Sequence, residues 1–361
     1  MPVSGEAASG LMKSKIYIDL KSKGLPKKIV LPALLLLLGI SIGFVLRDYS
    51  RSDGLYQHFE VREKGHSFTN PLLECASLPE ASENDKLRPF KHKIEDLREG
   101  ILGRGQVTDI AIYFRDLNNG PWVSIDPREC FAPSSLLKVP TLMSFLKEAE
   151  TNPSLLKKKI KYQRINNLDL NEYQLIRPQK TLEPGKEYAV EELLYRMVAY
   201  SDNNATATLQ GSIAPAILDR TYRDLGVRNP YVRGDEYILS VELCASFFRI
   251  LFNASYLNKE MSEKALSYLS KVQYKEGIVA GVPSHIQVSH KFGERALGNN
   301  DEIKQLHDCG IVYYPNHPYL LCVLTNGGSF ESLSETIREI SHFVYQEIDD
   351  QHLLQSAGLN Q

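Results

Sequence analysis

Residues 109–116, DIAIYFRD, alternate apolar and polar side chains, the period of a half-buried strand. Leu117, Asn118, Asn119 and Gly120 then read as a tight turn, and residues 122–125 return as a second strand, so a hairpin is predicted. From Ser134 the period changes. The stretch SSLLKVPTLMSFLKEAE spaces its apolar residues three and four apart and predicts a helix, as does the spacing over 91–102. A mostly helical region follows over 190–272, after a polar excursion at 163–188. Residues 286–290, 310–314 and 319–324 read as strands, the last two flanking the turn Pro315-Asn316-His317-Pro318. Residues 332–348 form an amphipathic pattern and predict a closing helix. Strands open the domain, helices fill its middle, and strands with one helix finish it. That segregation predicts an α+β fold, with an antiparallel sheet formed from both chain ends and an inserted all-helical lobe.

One segment departs from this pattern. Residues 29–46, IVLPALLLLLGISIGFVL, carry no charge and no polar face, and they reach the roughly 18 to 20 residues of a spanning helix. Lys13, Lys15, Lys21, Lys23, Lys27 and Lys28 precede it, which predicts a cytoplasmic N-terminus. The exit, FVLRDYSRSD, lacks a small-x-small cleavage site, and no cysteine follows closely, so an uncleaved signal anchor is expected. The organisation expected is a cytoplasmic tail (1–28), a transmembrane anchor (29–46), a linker (47–88), a catalytic domain (89–350) and a C-terminal tail (351–361).

Bulk chemistry narrows the function classes. A formal net charge of −2 gives no basic excess for nucleic acid. The five cysteines contain no C-x-x-C pair, and the nine histidines show neither H-E-x-x-H nor ligand spacing, so neither metal nor cofactor is expected. Cys309 and Cys322 can face each other across a hairpin. Buried thiols are the expectation there, with a disulfide as the alternative.

Three short motifs carry candidate chemistry. Ser135-Leu136-Leu137-Lys138 sets a lysine amine on the same helix face as a serine hydroxyl at the helix start. The same spacing recurs at Ser144/Lys147 and Ser154/Lys157, so spacing alone selects nothing. Context favours Ser135, which follows Phe-Ala-Pro-Ser and opens an apolar helix. Ser201-Asp202-Asn203 supplies a hydroxyl to relay a proton and an amide to bind a carbonyl; the alternative is a helix N-cap. Lys291-Phe292-Gly293 sets a lysine on a strand before a glycine that lets another backbone approach the sheet. Lys275-Glu276-Gly277 is its decoy, lacking a leading alternating strand.

In the order S-x-x-K, S-D-N, K-x-G, these motifs form a recorded set. On them, residues 91–348 resemble the class A β-lactamase-like serine hydrolases, within the β-lactamase and penicillin-binding superfamily. The resemblance implies that Ser135 attacks a carbonyl and forms an acyl-enzyme. Lys138 then takes or relays the serine proton, and Ser201 passes it to the leaving nitrogen. Asn203 holds the substrate amide, and Lys291 is the second cation. The oxyanion lies between the backbone N–H groups of Ser135 and Glu294, beside Gly293. The expected substrate is a β-lactam, hydrolysed, or alternatively a cell-wall peptide handled by a D,D-peptidase or transpeptidase; a non-catalytic sensor is the third reading. The expected location is a bacterial cell membrane, single-pass, with the catalytic domain outside. Two departures stand out. Phe292 replaces the family's hydroxyl residue after the strand lysine. No E-x-x-L-N context exists for a deacylating glutamate, leaving Glu236 as the candidate base. His290 and His307 are expected to be structural.

Overall fold

A computed structural model describes residues 60–62, 65–75, 87–118, 120–172, 174–230, 237–297 and 302–356. The expected anchor at 29–46 and the candidate base Glu236 lie outside these residues. The single-pass membrane location is corrected: among the described residues no helix is long and apolar enough to cross a membrane.

The predicted α+β architecture is present. The central sheet holds β3 (Val107–Asp116), β4 (Trp122–Ile125), β9 (Val288–Leu297), β10 (Ile303–Val312) and β11 (Tyr319–Gly327). Its order is β4-β3-β11-β10-β9, antiparallel throughout, so strands from both chain ends meet at the β3–β11 seam. Helices α1 (Arg88–Gly103) and α9 (Phe330–Ser356) pack on the sheet and on each other. Helices α7 (Val241–Phe252) and α8 (Lys259–Leu269) also pack on it and on each other. β10 is consequently buried over eight consecutive residues and β11 over seven. Covering a strand on both faces turns alternation into a continuous apolar run.

The strands outrun their predicted bounds. Alternation ends at His290, yet β9 continues to Leu297, because Phe292 is wholly buried beyond Lys291 and the pairing Cys309↔Lys291 through Ile303↔Leu297 is unbroken. Cys309 and Cys322 stand directly opposite on β10 and β11 and form a disulfide, which corrects the expectation of two thiols. Among the described residues Cys130 and Cys244 are free.

The helical lobe comprises α2 (Lys138–Thr151), α3 (Ser154–Lys157), α4 (Val190–Ala199), α5 (Asn203–Gln210) and α6 (Pro215–Asp224), joined by α7 and α8. Leu142, Met143, Phe145 and Leu146 of α2 are fully buried, so α2 runs through the middle of the lobe rather than along its surface. Short pairs brace the edges: β5 (Cys130–Phe131) with β8 (Leu239–Ser240), and β6 (Lys159–Lys161) with β7 (Glu187–Ala189). Within the stretch read as a linker, β1 (Glu60–Arg62) pairs with β2 (Leu72–Cys75). Between them the chain docks on the lobe. The Glu263 carboxylate accepts the backbone N–H groups of Ser67 (2.8 Å), Phe68 (2.9 Å) and Thr69 (2.9 Å), and Asn70 N donates to Phe252 O at 2.8 Å. The Phe68 ring meets Tyr313 edge-on, with centroids 5.7 Å apart.

Candidate active site

Ser135 does not open an α-helix directly. Residues Ser134–Leu137 form a 3-10 turn, closed by Leu136 N donating to Pro133 O at 3.0 Å, and α2 begins at Lys138. In a 3-10 turn, side chains three apart eclipse, so Ser135 and Lys138 still project to one side. Ser134 holds φ at +50°, a left-handed conformation that costs a non-glycine residue roughly 1 kcal/mol or more and clusters at functional sites.

The second motif sits between α4 and α5. Both readings of it hold, on different residues. Asp202 caps α5, accepting from Ala205 N at 3.1 Å, while Ser201 and Asn203 turn toward Ser135 and Lys138. Ser201 is the other left-handed serine, with φ +55°. Its Oγ lies 3.2 Å from Ser135 Oγ. It also accepts from Lys138 Nζ at 3.1 Å and Lys291 Nζ at 3.1 Å. A hydroxyl has one donor and two acceptor positions, so this one is saturated. The two amines therefore converge on Ser201 rather than on Ser135: among the described residues neither donates to Ser135.

Lys138 Nζ further donates to Ser201 O at 2.6 Å and Asn203 Oδ1 at 2.7 Å. Burial disfavours its charged form and lowers its pKa to about 7, partly opposed by Asp202 and Glu294. Lys291 is fully enclosed, its Nζ donating to Phe292 O at 2.9 Å. Its ammonium lies 3.9 Å from the centre of the Phe292 ring. Burial, then the nearby Lys138 charge, holds its pKa well below the ordinary lysine value.

Gly293 brings β9 against the serine turn. A Cβ there would stand 2.7 Å from Pro133 O and 3.2 Å from Ser135 N, so only glycine permits the approach. This sets the Gly293 backbone directly against Ser135 N. The Glu294 side chain crosses away from β9, and its Oε1 accepts Ile176 N at 3.0 Å. Burial raises its pKa.

The sequence profile of the Beta-lactamase enzyme family matches residues 89–348. The chain belongs to that family. No curated protein sequence matches it. Among solved structures, PBP-A is 21% identical with a TM-score of 0.59, over 76% of this chain and all (100%) of its own. A point mutant of PBP-A, described as an acyl-enzyme complex with penicillin G, gives the same identity of 21%, TM-score of 0.59 and coverages of 76% and 100%. A class A β-lactamase from Mycobacterium abscessus is 20% identical with a TM-score of 0.60, over 72% of this chain and 99% of its own. At these identities the structural likeness speaks for the β-lactamase-like fold.

Two groups in the site carried no sequence signal beyond polarity. Asn171 and Gln174, in the polar excursion, fold over Ser201. Asn171 Nδ2 donates to Asp202 Oδ1 at 3.0 Å, its Oδ1 accepts Asn203 N at 2.8 Å, and Gln174 Nε2 donates to Ser201 O at 3.0 Å. Only the density of Asn, Asp and Gln over 163–188 marks the stretch, and that density also suits a solvated loop.

The histidines next to the strand motifs each hold a buried polar contact. His307 Nδ1 accepts Thr325 N at 3.2 Å, so its Nε2 carries the proton and donates to Ala132 O at 3.1 Å. Burial lowers its pKa to about 4, in keeping with that neutral ring. The bond holds the approach to Ser135 against β10. His290 Nδ1 lies 2.8 Å from Asp308 Oδ1, and Asp308 Oδ2 accepts Ile278 N at 3.0 Å, both side chains fully buried.

Proposed function

We propose that this domain is a serine hydrolase that opens amide carbonyls, the β-lactam amide among them, through an acyl-enzyme on Ser135. One observation carries the reading: two buried amines meet on a single hydroxyl that lies 3.2 Å from Ser135 Oγ. With Lys138 neutral, its lone pair can accept the Ser201 proton while Ser201 accepts that of Ser135. The Ser135 oxygen then attacks the carbonyl, and the C–N bond breaks as Lys138, through Ser201, returns the proton to the leaving nitrogen. The two amines compete for charge: burial takes the pKa of Lys138 to about 7, and burial with the Lys138 charge takes Lys291 well below the ordinary lysine value. Asn203 orients Lys138 and offers its amide to the substrate. The Ser135 amide, with the Gly293 backbone against it, and the Glu294 amide that follows Gly293 are the donors offered to the developing oxyanion. Removal of one such donor costs about 3 to 4 kcal/mol in barrier. The penicillin G complex described for the PBP-A mutant makes a penicillin the natural first probe.

The test is intact-mass analysis of the purified protein with benzylpenicillin and with its methyl ester, followed in parallel by loss of β-lactam absorbance. The expected result is a covalent gain of one ligand mass, mapped to Ser135 and absent in Ser135→Ala. Steady turnover assigns hydrolysis. A persistent adduct assigns penicillin-binding behaviour, and a cell-wall peptide ending in D-Ala-D-Ala then separates a peptidase from a sensor. An adduct that survives Ser135→Ala removes the reading.

A further inference from the structure

We propose that Gln174 is a positioning residue of the proton relay: with Leu170 and Asn171 it fixes the two oxygens that leave the Lys138 lone pair no direction but toward Ser201. The inference rests on the Ser135 acyl-enzyme reading.

Lys138 Nζ has three polar neighbours, Ser201 O at 2.6 Å, Asn203 Oδ1 at 2.7 Å and Ser201 Oγ at 3.1 Å. An ammonium has three N–H donors and fills all three positions. A neutral amine has two N–H donors and one lone pair. Ser201 O and Asn203 Oδ1 carry no hydrogen, so each keeps an N–H. The lone pair then falls to the hydroxyl, the one neighbour with a proton to give. Lys138 is buried, so solvent offers no other arrangement.

Both oxygens are held from the polar stretch before α4. Gln174 Nε2 donates to Ser201 O at 3.0 Å, and together with Lys138 it fills both lone pairs of that carbonyl. Asn203 Nδ2 donates to Leu170 O at 3.3 Å, which turns Oδ1 toward Lys138, and Asn203 N donates to Asn171 Oδ1 at 2.8 Å. Asn171 Nδ2 donates to Asp202 Oδ1 at 3.0 Å, so residues 201, 202 and 203 are all gripped by this one stretch. Ser201, at φ +55°, holds a conformation that a non-glycine residue keeps only where its surroundings enforce it.

Gln174 holds its place at a cost. Its Oε1 is buried without a partner among the described residues. The reversed amide would set two acceptor oxygens against each other at Ser201 O, so the side chain keeps its donor on the backbone and leaves its own acceptor unmet. An unmet buried acceptor is an exception that calls for a reason beyond packing. The donor also acts on charge. Without it Lys138 would be the sole donor to Ser201 O, and a stronger bond to the ammonium favours the charged form. The charged groups around Lys138 are Asp202, on the turn before α5, and Lys291 and Glu294 on β9.

The test follows acylation of Ser135 by benzylpenicillin, timed by intact mass at pH 6 and pH 9, in the native chain, Gln174→Met and Gln174→Glu. Gln174→Met keeps the length and removes the donor. It is expected to slow acylation ~10-fold at pH 6 and by no more than ~2-fold at pH 9, the pattern of a relay lysine whose charged form has been favoured. Gln174→Glu sets a carboxylate at the same carbonyl, and a larger loss at pH 6, again relieved at pH 9, is expected. Thermal melts at both pH values check that the variants are folded. A residue that only packs the loop would lower the rate equally at both pH values. That outcome overturns the proposal, as does an unchanged profile in both variants. Absence of a Ser135 adduct from the native chain overturns the acyl-enzyme reading and this inference together, whereas a native adduct with either of those variant profiles overturns this inference alone.

Discussion

Ser135/Lys138 and Ser144/Lys147 have the same spacing, stand nine residues apart and differ in nearly everything else. Ser144 lies within α2, and its hydroxyl donates to Pro140 O at 2.9 Å, the i−4 carbonyl of its own helix. Lys147 reaches the surface, donating to Glu150 at 2.8 Å and Tyr256 O at 2.7 Å, with its side chain 41% exposed. Ser135 sits ahead of the helix, in a 3-10 turn, with its hydroxyl directed at Ser201. Lys138 is 4% exposed, and burial alone moves its amine toward neutrality near pH 7. A lysine in water stays charged and cannot act as a base at that pH. Depth and the neighbouring chain, rather than sequence spacing, distinguish a reactive pair from a decorative one.

The comparison can be broken at several points. The largest expected effect comes from the serines. Ser135→Ala should lower acylation by at least ~10³-fold, as loss of a nucleophile does, while Ser144→Ala leaves the rate within about twofold. Equal losses in the two variants would erase the distinction. The lysines come next. Lys138→Met should slow acylation by ~10² to 10⁴-fold, the range of general acid–base catalysis, against little change for Lys147→Met. Stopped-flow acylation of the two variants reads this directly.

A smaller effect sharpens the electrostatic claim. With Lys138 titrating at about 7, its neutral fraction falls roughly tenfold between pH 8 and pH 6, and the acylation rate constant should fall with it. A profile flat across that window would place the base elsewhere. The smallest effect concerns the frame around the site. His307 has its folded pKa lowered from 6.5 to about 4, so the unfolded chain binds a proton in this window that the folded chain does not. Its stabilisation is present above pH 6.5 and is lost as pH falls toward 4, by at most about 3 kcal/mol. Denaturant titrations of the native chain and His307→Gln at pH 7 and pH 5 should show a steeper loss in the native chain.

Much of the fold was legible because its signals are local. The 117–120 turn, the change of period at Ser134 and the segregation of strands from helices each reside within a few residues. The order of three motifs also pointed to Ser135, Lys138, Ser201, Asn203, Lys291 and Gly293, which the fold gathers at one place. The saturation of Ser201 was not legible. It depends on a left-handed serine between two helices and on amines from 63 and 90 residues away. Asn171 and Gln174 were illegible for a related reason: an amide side chain has no periodic signature, and its partner is set by tertiary approach. The length of β9 was missed because burial on both faces removes the alternation by which a strand end is recognised. The disulfide was underestimated because register, which places Cys309 opposite Cys322, is fixed only by the whole sheet.

The contact between Glu263 and residues 67–69 carries a consequence for where this molecule can be cut. The family profile starts at residue 89. A fragment beginning there would strip three N–H donors and the Thr69 hydroxyl from one carboxylate, and would uncover the flank of Tyr313 that Phe68 shields. A fragment that begins upstream of Ser67 is therefore expected to melt at a higher temperature than one that begins at residue 89.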